Sequence, residues 1–296
     1  MVVVTDATAK AIAPTRLRIR APSPTPISAF QAVPPNPVGV AVASDYGTGM
    51  DLQITSIAQR PELADALWFP DAWPEFMGQD LVAHTHFGRI HETFPEYTLI
   101  ATDQDGEVVA RAHSVPFALQ DPERGELPSR GWEQVLVWAF SDHRRGVAPD
   151  TVSAIEVAVR TGWQGRGLSA VMLDAMRNNA QARGFAEVVA PVRPTAKHLE
   201  PATPTAEYAQ RKRADGLPVD PWLRTHVRAG GVIEAVAPAS MAFSASLAEW
   251  RAWTALPFDQ EGWIDVPEAL VPVYCSIKHD YAVYVEPNVW VRHSLR

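Results

Sequence analysis

Residues 154–182 carry the spacing most able to do chemistry: an apolar strand, Ala154-Ile-Glu-Val-Ala-Val159, leads through Arg160-Thr-Gly-Trp163 into Gln164-Gly-Arg-Gly-Leu-Ser169 and a helical stretch. That order suits a phosphate. The first N–H groups of a helix lack intrahelical partners, and the helix dipole favours negative charge where they point outward. Gly165 and Gly167 tolerate positive φ and let a ligand approach the main chain. The plain alternative is a strand–turn–helix corner with no ligand.

A P-loop is excluded, because no Gly-Lys-Ser/Thr follows the first glycine at the required spacing. A dinucleotide fingerprint survives in Gly165-x-Gly167-x-x-Ala170, but its acidic ribose partner is missing about 20 residues on, where a strand over 186–192 leads into Arg193. Arg193 would suit a 2′-phosphorylated nucleotide, so an NADP-binding oxidoreductase stands as one alternative.

The third reading is a resemblance. Gln164-x-x-Gly167-x-Ser169 resembles the Gln/Arg-x-x-Gly-x-Gly/Ala pyrophosphate loop of the GNAT superfamily of N-acetyltransferases, which bind acyl-coenzyme A (acyl-CoA). The resemblance implies that the amides of Gln164, Gly165, Arg166, Gly167, Leu168, Ser169 and Ala170 cradle the pyrophosphate. It also implies that the strand edge at Val157 and Val159 pairs with the pantetheine arm. Ser169 stands where the family usually has Gly or Ala, which crowds the loop slightly while adding a hydroxyl donor.

Asp220-Pro221-Trp-Leu-Arg-Thr-His-Val-Arg-Ala-Gly230 brackets a short helix between an N-cap and a C′ glycine. It is similar to the fourth GNAT helix, which carries a Tyr four residues before the closing Gly, often as the acid that protonates the departing thiolate. Here that position is His226, whose imidazole can do the same work near neutral pH. Alternatively, His226 packs beside Trp222. For the base, Glu156 stands on the motif strand, opposite in face to Ile155, Val157 and Val159, where a carboxylate could accept the amine proton through a water. It could equally face solvent. His113, Asp80 and His84 are further candidates that no spacing singles out, and His84, His86 and His91 read as helix surface rather than a metal site.

Trp68-Phe-Pro-Asp-Ala-Trp73-Pro-Glu-Phe-Met77 falls in the loop that shapes the acceptor pocket in the family. Trp73 and Phe76 would wall such a pocket, and Asp71 and Glu75 could hold an ammonium. A capped loop over ordinary core is the competing reading. The basic residues from Arg193 to Arg213 could clamp the coenzyme A 3′-phosphate or an acidic acceptor, or simply be solvated.

These residues need a scaffold. Residues 51–57 alternate as a strand, Pro61 opens a short helix, and 81–94 read as a second one. Strands over 97–102 and 107–113 follow, joined by the hairpin signal Asp103-Gln-Asp-Gly106. The order is that of a GNAT fold: an α/β (α+β) protein with a mixed, mostly antiparallel sheet, splayed at the acyl-CoA site and flanked by helices. We expect a Pro/Ala-rich extended leader over 1–48 and a core over 49–236 with insertions at 120–152 and 193–220. Strands over 237–296 then complete the sheet and enlarge the acceptor side. Within the first insertion 132–140 read as a helix and Asp142-His-Arg-Arg145 as a charged loop. Trp250, Trp253, Trp263 and Trp290 supply core, a bulky-substrate wall or a homodimer face.

Composition narrows the class. The chain has 296 residues, 47% of them hydrophobic, enough for a sizeable core. A net charge of −8 weighs against nucleic acid, and the lone Cys275 permits neither an intrachain disulfide nor a cysteine zinc site. No apolar run approaches the roughly 18 residues of a membrane span, so a cytoplasmic setting is the default. The resulting expectation is acyl transfer from acyl-CoA, acetyl-CoA by default, to a small-molecule amine. Alternatives are a silent acyl-CoA-binding module, or a GNAT-type transferase using a carrier-protein or aminoacyl-tRNA donor.

Overall fold

The computed structural model describes residues 51–69 and 72–296, with the backbone of Ala41–Val42. Apart from that dipeptide, the expected leader lies outside the described residues. In chain order the elements are β1 (Ala41–Val42), β2 (Gln53–Ser56), α1 (Leu81–Thr85), α2 (Ile90–Thr93), β3 (Thr98–Thr102), β4 (Val108–Phe117), α3 (Gly131–Arg145), β5 (Thr151–Val159), α4 (Leu168–Ala182), β6 (Glu187–Val192), α5 (Thr205–Gln210), α6 (Pro221–Arg228), β7 (Val232–Ala245), α7 (Leu247–Thr254), β8 (Gly262–Ile264), β9 (Val273–Ser276) and β10 (Tyr281–Ser294).

One sheet runs in the order β1-β2-β3-β4-β5-β6-β10-β9-β8, with β7 also paired to β10. Among the described residues only β5 and β6 pair in parallel, just at Val152 with Val188 and Ser153 with Val189. Beyond Ser153 each follows its other neighbour: β5 stays with β4 as far as Val159, and β6 stays with β10 as far as Val192. The sheet therefore parts down its middle. This topology is not the βαβαβ half-sheet that the NADP alternative requires.

Among the described residues two large cores form, one on each face, with a smaller cluster of Ile57, Leu67, Phe69, Ile100, Val108 and Ala158 beside them. Leu168, Val171, Met172, Ala175 and Met176 of α4 pack with Ala154, Val188, Ala190 and Val291. On the opposite face Trp132, Val135 and Leu136 of α3 and Trp250 of α7 pack with Val115, Phe117, Phe243 and Tyr284. Burying each such large apolar side chain contributes roughly 1.5–3 kcal/mol. Strand β7 runs through the expected division at 236/237, and β10 lies inside the sheet.

Two local expectations change. The helix read over 81–94 breaks into α1, a 3-10 turn at Phe87–Arg89 and α2, because His86 leaves helical geometry at φ −121° and Phe87 turns onto His113 and Trp132. Asp142-His-Arg-Arg145 is the last turn of α3 rather than a solvated loop. Arg124 grips the buried Asp142 carboxylate through both terminal nitrogens, at 2.6 and 2.7 Å, and Ala118 N–H donates to it. Among the described residues no helix is long and apolar enough to cross a membrane.

Asp220 ties the 193–220 insertion to α6. Its Oδ1 accepts from Trp222 and Leu223 N–H as the helix cap, and its Oδ2 accepts from Ala196 N–H and the Tyr208 hydroxyl. Losing a cap costs about 0.5–2 kcal/mol and each further bond about 1 kcal/mol. Asp220→Ala is expected to lower unfolding free energy by roughly 2–4 kcal/mol in a denaturant titration; a change under about 0.5 kcal/mol would contradict the hub role.

Candidate active site

The glycine turn is open. Gly165 and Gly167 have φ of +74° and +84°, and a Cβ built on either meets nothing within 4 Å. Gly167 begins α4 without any side-chain cap. Residues 164–167 are exposed, while Leu168 turns its side chain into the core, so only its amide faces the turn. Ser169 is half-buried and Ala170 exposed. Gln164 Nε2 donates to Val159 O at 3.1 Å, and the Arg166 guanidinium lies 4.9 Å from the Trp163 ring centre.

The free edge of β5 leads to this turn. Arg160 N–H donates to Val109 O, so Arg160 points its polar groups at β4. Alternation then turns Val159 and Val157 the other way, into the parting, and the Gln164 contact to Val159 O agrees with that direction. A β-bulge sits just upstream: His113 pairs with Glu156 but Ser114 with Ala154, leaving Ile155 as the extra residue. Trp132 Nε1 donates to its carbonyl at 3.1 Å. The bulge resets side-chain direction. Ile155 joins the α3 core on the same face as Glu156, whereas Val157 and Val159 pack towards α4. Strict alternation, which put Ile155 opposite Glu156, is corrected at this residue.

Glu156 is not a solvent-facing carboxylate. Arg111 Nε and Nη2 bind it at 2.8 and 2.9 Å, His113 Nδ1 lies 3.0 Å from Oε2, and Trp73 Nε1 donates to Oε1 at 2.5 Å. Arg111 also donates to Leu67 O and lies over Phe69. Burial pushes the Glu156 pKa up, but the His113 hydrogen bond and the Arg111 charge and hydrogen bonds outweigh it and hold it at about 2. A carboxylate so saturated is a poor proton acceptor near neutrality. His113 is different. Burial lowers its pKa against the opposing pull of Glu156, so it is neutral at pH 7. Since Glu156 can only accept, Nδ1 carries the proton and Nε2 keeps a lone pair.

His226 lies elsewhere. Its Nδ1 is 2.9 Å from His293 Nε2, its ring packs edge-on to Trp222, and it is buried. His293 on β10 pairs with Val188, at the closed end of the parting. Burial, then the neighbouring His293 and Arg177, hold the His226 pKa at about 3; burial and Arg177 hold His293 at about 4. His226 lies against His293 at the closed end, away from the open part of the parting where a general acid for the thiolate would stand. Both folded-state values lie below the ordinary 6.5, so the stability they contribute is present above pH 6.5 and lost as pH falls towards 3–4. Melting temperatures of the protein should fall across that window, and replacing both histidines with Leu should flatten the fall; an unchanged slope would contradict the pairing.

The acceptor-side residues separate. Trp73, 39% exposed, bonds Glu156 and turns its ring towards Arg193 at 6.0 Å. Phe76 is core, packed on Trp250 and Tyr284, because its 3-10 turn Glu75–Gln79 faces α7; it walls no open pocket. Glu75 is exposed, and Asp71 lies outside the described residues. Arg193 is no solvated surface residue: it binds the buried Glu286 at 2.9 Å, and Tyr284 and Asn288 brace that carboxylate at 2.8 and 3.1 Å. Arg111 was missed altogether. Its signal is a charge set in Val108-Val-Ala-Arg-Ala-His113, a strand buried on both faces.

A mixed sheet parted between two parallel strands, a bulge beside the parting and a bare glycine turn at the next helix define an acyltransferase of GNAT type. The chain is 30% identical over 290 residues to the arginine N-acetyltransferase avaD of Aspergillus versicolor, covering 83% of this chain and 99% of that protein. Its fold is similar to the loading GNATL domain of CurA from Lyngbya majuscula, with a TM-score of 0.50 at 18% identity over 82% of this chain and 98% of that domain. No family model matches the sequence. The chain belongs to the GNAT superfamily of N-acyltransferases, with acyl-CoA as its donor and an amine as the acyl acceptor.

Proposed function

We propose that this enzyme moves an acetyl group from acetyl-CoA to a nitrogen of arginine or a closely similar small molecule. The similarity to an arginine N-acetyltransferase along nearly its whole length carries the acceptor reading.

The pyrophosphate takes the amides from Gly165 to Ala170, and pantetheine adds to the β5 edge at Val157 and Val159. The neutral amine attacks the thioester carbonyl carbon, whose oxygen gathers charge beside the β5 amides. The C–S bond then breaks and coenzyme A leaves as thiolate. The proton released by the new amide nitrogen passes through water to His113 Nε2, and the thiolate takes one from solvent. Glu156 keeps the His113 tautomer and faces the imidazolium that forms; it positions rather than accepts. The reaction needs no partner macromolecule, and we place it in the cytoplasm.

Release of thiol from acetyl-CoA in the presence of arginine, lysine, ornithine and agmatine tests this. Turnover fastest with arginine is expected. Coenzyme A binding without turnover of any of the four would instead favour the silent binding module.

A further inference from the structure

Arg193 follows the last residue of β6, at the open end of the parting. Its Nε is fixed by Glu286 and its Nη2 donates to Glu268 O at 2.6 Å. Those contacts and one with the Tyr284 hydroxyl use three of the five N–H donors of a guanidinium, and 17% of the side chain stays accessible. The Glu286 network reaches Asn288 and Ser240, and Ser240 accepts from Trp132 N–H, so Arg193 stands on the α3 face with Glu156, not on the α4 face. One indole spans the two: Trp73 donates to Glu156 and turns its ring to Arg193.

A buried ion pair is weak evidence of stability, since desolvation cancels most of its attraction. Here two such pairs, Arg111–Glu156 and Arg193–Glu286, border the parting on the same face. In each pair the carboxylate is fully enclosed and the guanidinium is the more accessible partner, Arg193 at 17% against Arg111 at 7%. An amino acid fits this arrangement, with its carboxylate at the Arg193 guanidinium, which binds carboxylates in bidentate geometry, and its attacking amine towards His113.

Resting on the acceptor reading above, we infer that Arg193 is a specificity-determining residue that binds the carboxylate of the acceptor, making the substrate class free amino acids rather than simple amines. Glu286 is its positioning residue, holding the guanidinium towards the parting.

The experiment compares kcat/KM for arginine with agmatine, ornithine with putrescine and tryptophan with tryptamine, in the wild type, Arg193→Lys and the double variant Arg193→Gln/Glu286→Gln. The double variant leaves no buried charge unpaired, and thermal melting checks its fold. In the wild type the carboxylated member of the best pair is expected to win by about 30-fold or more. That ratio should collapse to within about threefold in the double variant, through KM for the amino acid, with Arg193→Lys intermediate. Equal use of both members by the wild type, an unchanged ratio in a folded double variant, or no turnover with any pair would overturn the inference. If arginine fails while another amino acid beats its decarboxylated partner, the proposed acceptor is wrong and Arg193 keeps its role. A preference for succinyl-CoA over acetyl-CoA that the double variant removes, with the acceptor ratio unmoved, would place the carboxylate on the donor and overturn the assignment.

Discussion

Gly167→Glu is expected to weaken acetyl-CoA binding by more than about 100-fold, a loss of about 2.7 kcal/mol or more. Two effects act together. Gly167 sits at φ +84°, where an L side chain adds roughly 1 kcal/mol of strain, and the open space above it is where the pyrophosphate is expected to lie. A carboxylate there opposes two phosphate charges at short range, and each such contact costs about 1 kcal/mol or more even in water. Gly167→Asn separates the two, because Asn tolerates the left-handed region and carries no charge. Calorimetric titration should find Gly167→Asn within about tenfold of the wild type and Gly167→Glu without detectable binding. Equal affinity in a folded Gly167→Glu protein would remove the phosphate from this turn.

Glu156→Gln is expected to lower kcat by about 100-fold or more, within the range for loss of proton-transfer assistance. It also leaves the Arg111 guanidinium buried without its counter-charge, which costs about 3–5 kcal/mol of stability. Arg111→Gln/Glu156→Gln removes both charges and should recover most of the stability but not the rate. The pH profile tells a positioning role from a merely structural one. His113 must be neutral to take a proton, and its folded pKa lies below 6.5. The wild-type rate should therefore hold down to pH 6.5 and fall below it. Glu156 pulls the His113 value up, so its removal should move the acid limb to still lower pH. A limb that stays put in Glu156→Gln would place proton transfer elsewhere.

Much of the scaffold was legible because its signals are local. Asp220 and Pro221 announce the start of α6 and Gly230, at positive φ, its close, and Asp103-Gln-Asp-Gly106 announces the hairpin between β3 and β4. Each depends on a few neighbouring residues and on backbone geometry that only certain side chains favour. The helix over 81–94 failed by the same logic reversed: its periodicity was adequate, but the contacts of Phe87 with His113 and Trp132, far along the chain, decide where it breaks.

The site divides likewise. By itself the sequence determined the glycine turn, the strand before it and the helix after it, because a positive-φ turn and a bare helix start are properties of consecutive residues. Only the tertiary structure decided which charges meet. Glu156 joins Arg111 across 45 positions and Trp73 across 83, and Arg193 joins Glu286 across 93. The bulge at Ile155 likewise reads in the register with β4, not in the strand's own alternation. His226 keeps the spacing of an acid yet lies against His293, at the closed end. Spacing along the chain sets where a side chain can point, whereas its charge state follows from burial and partners that only folding assembles.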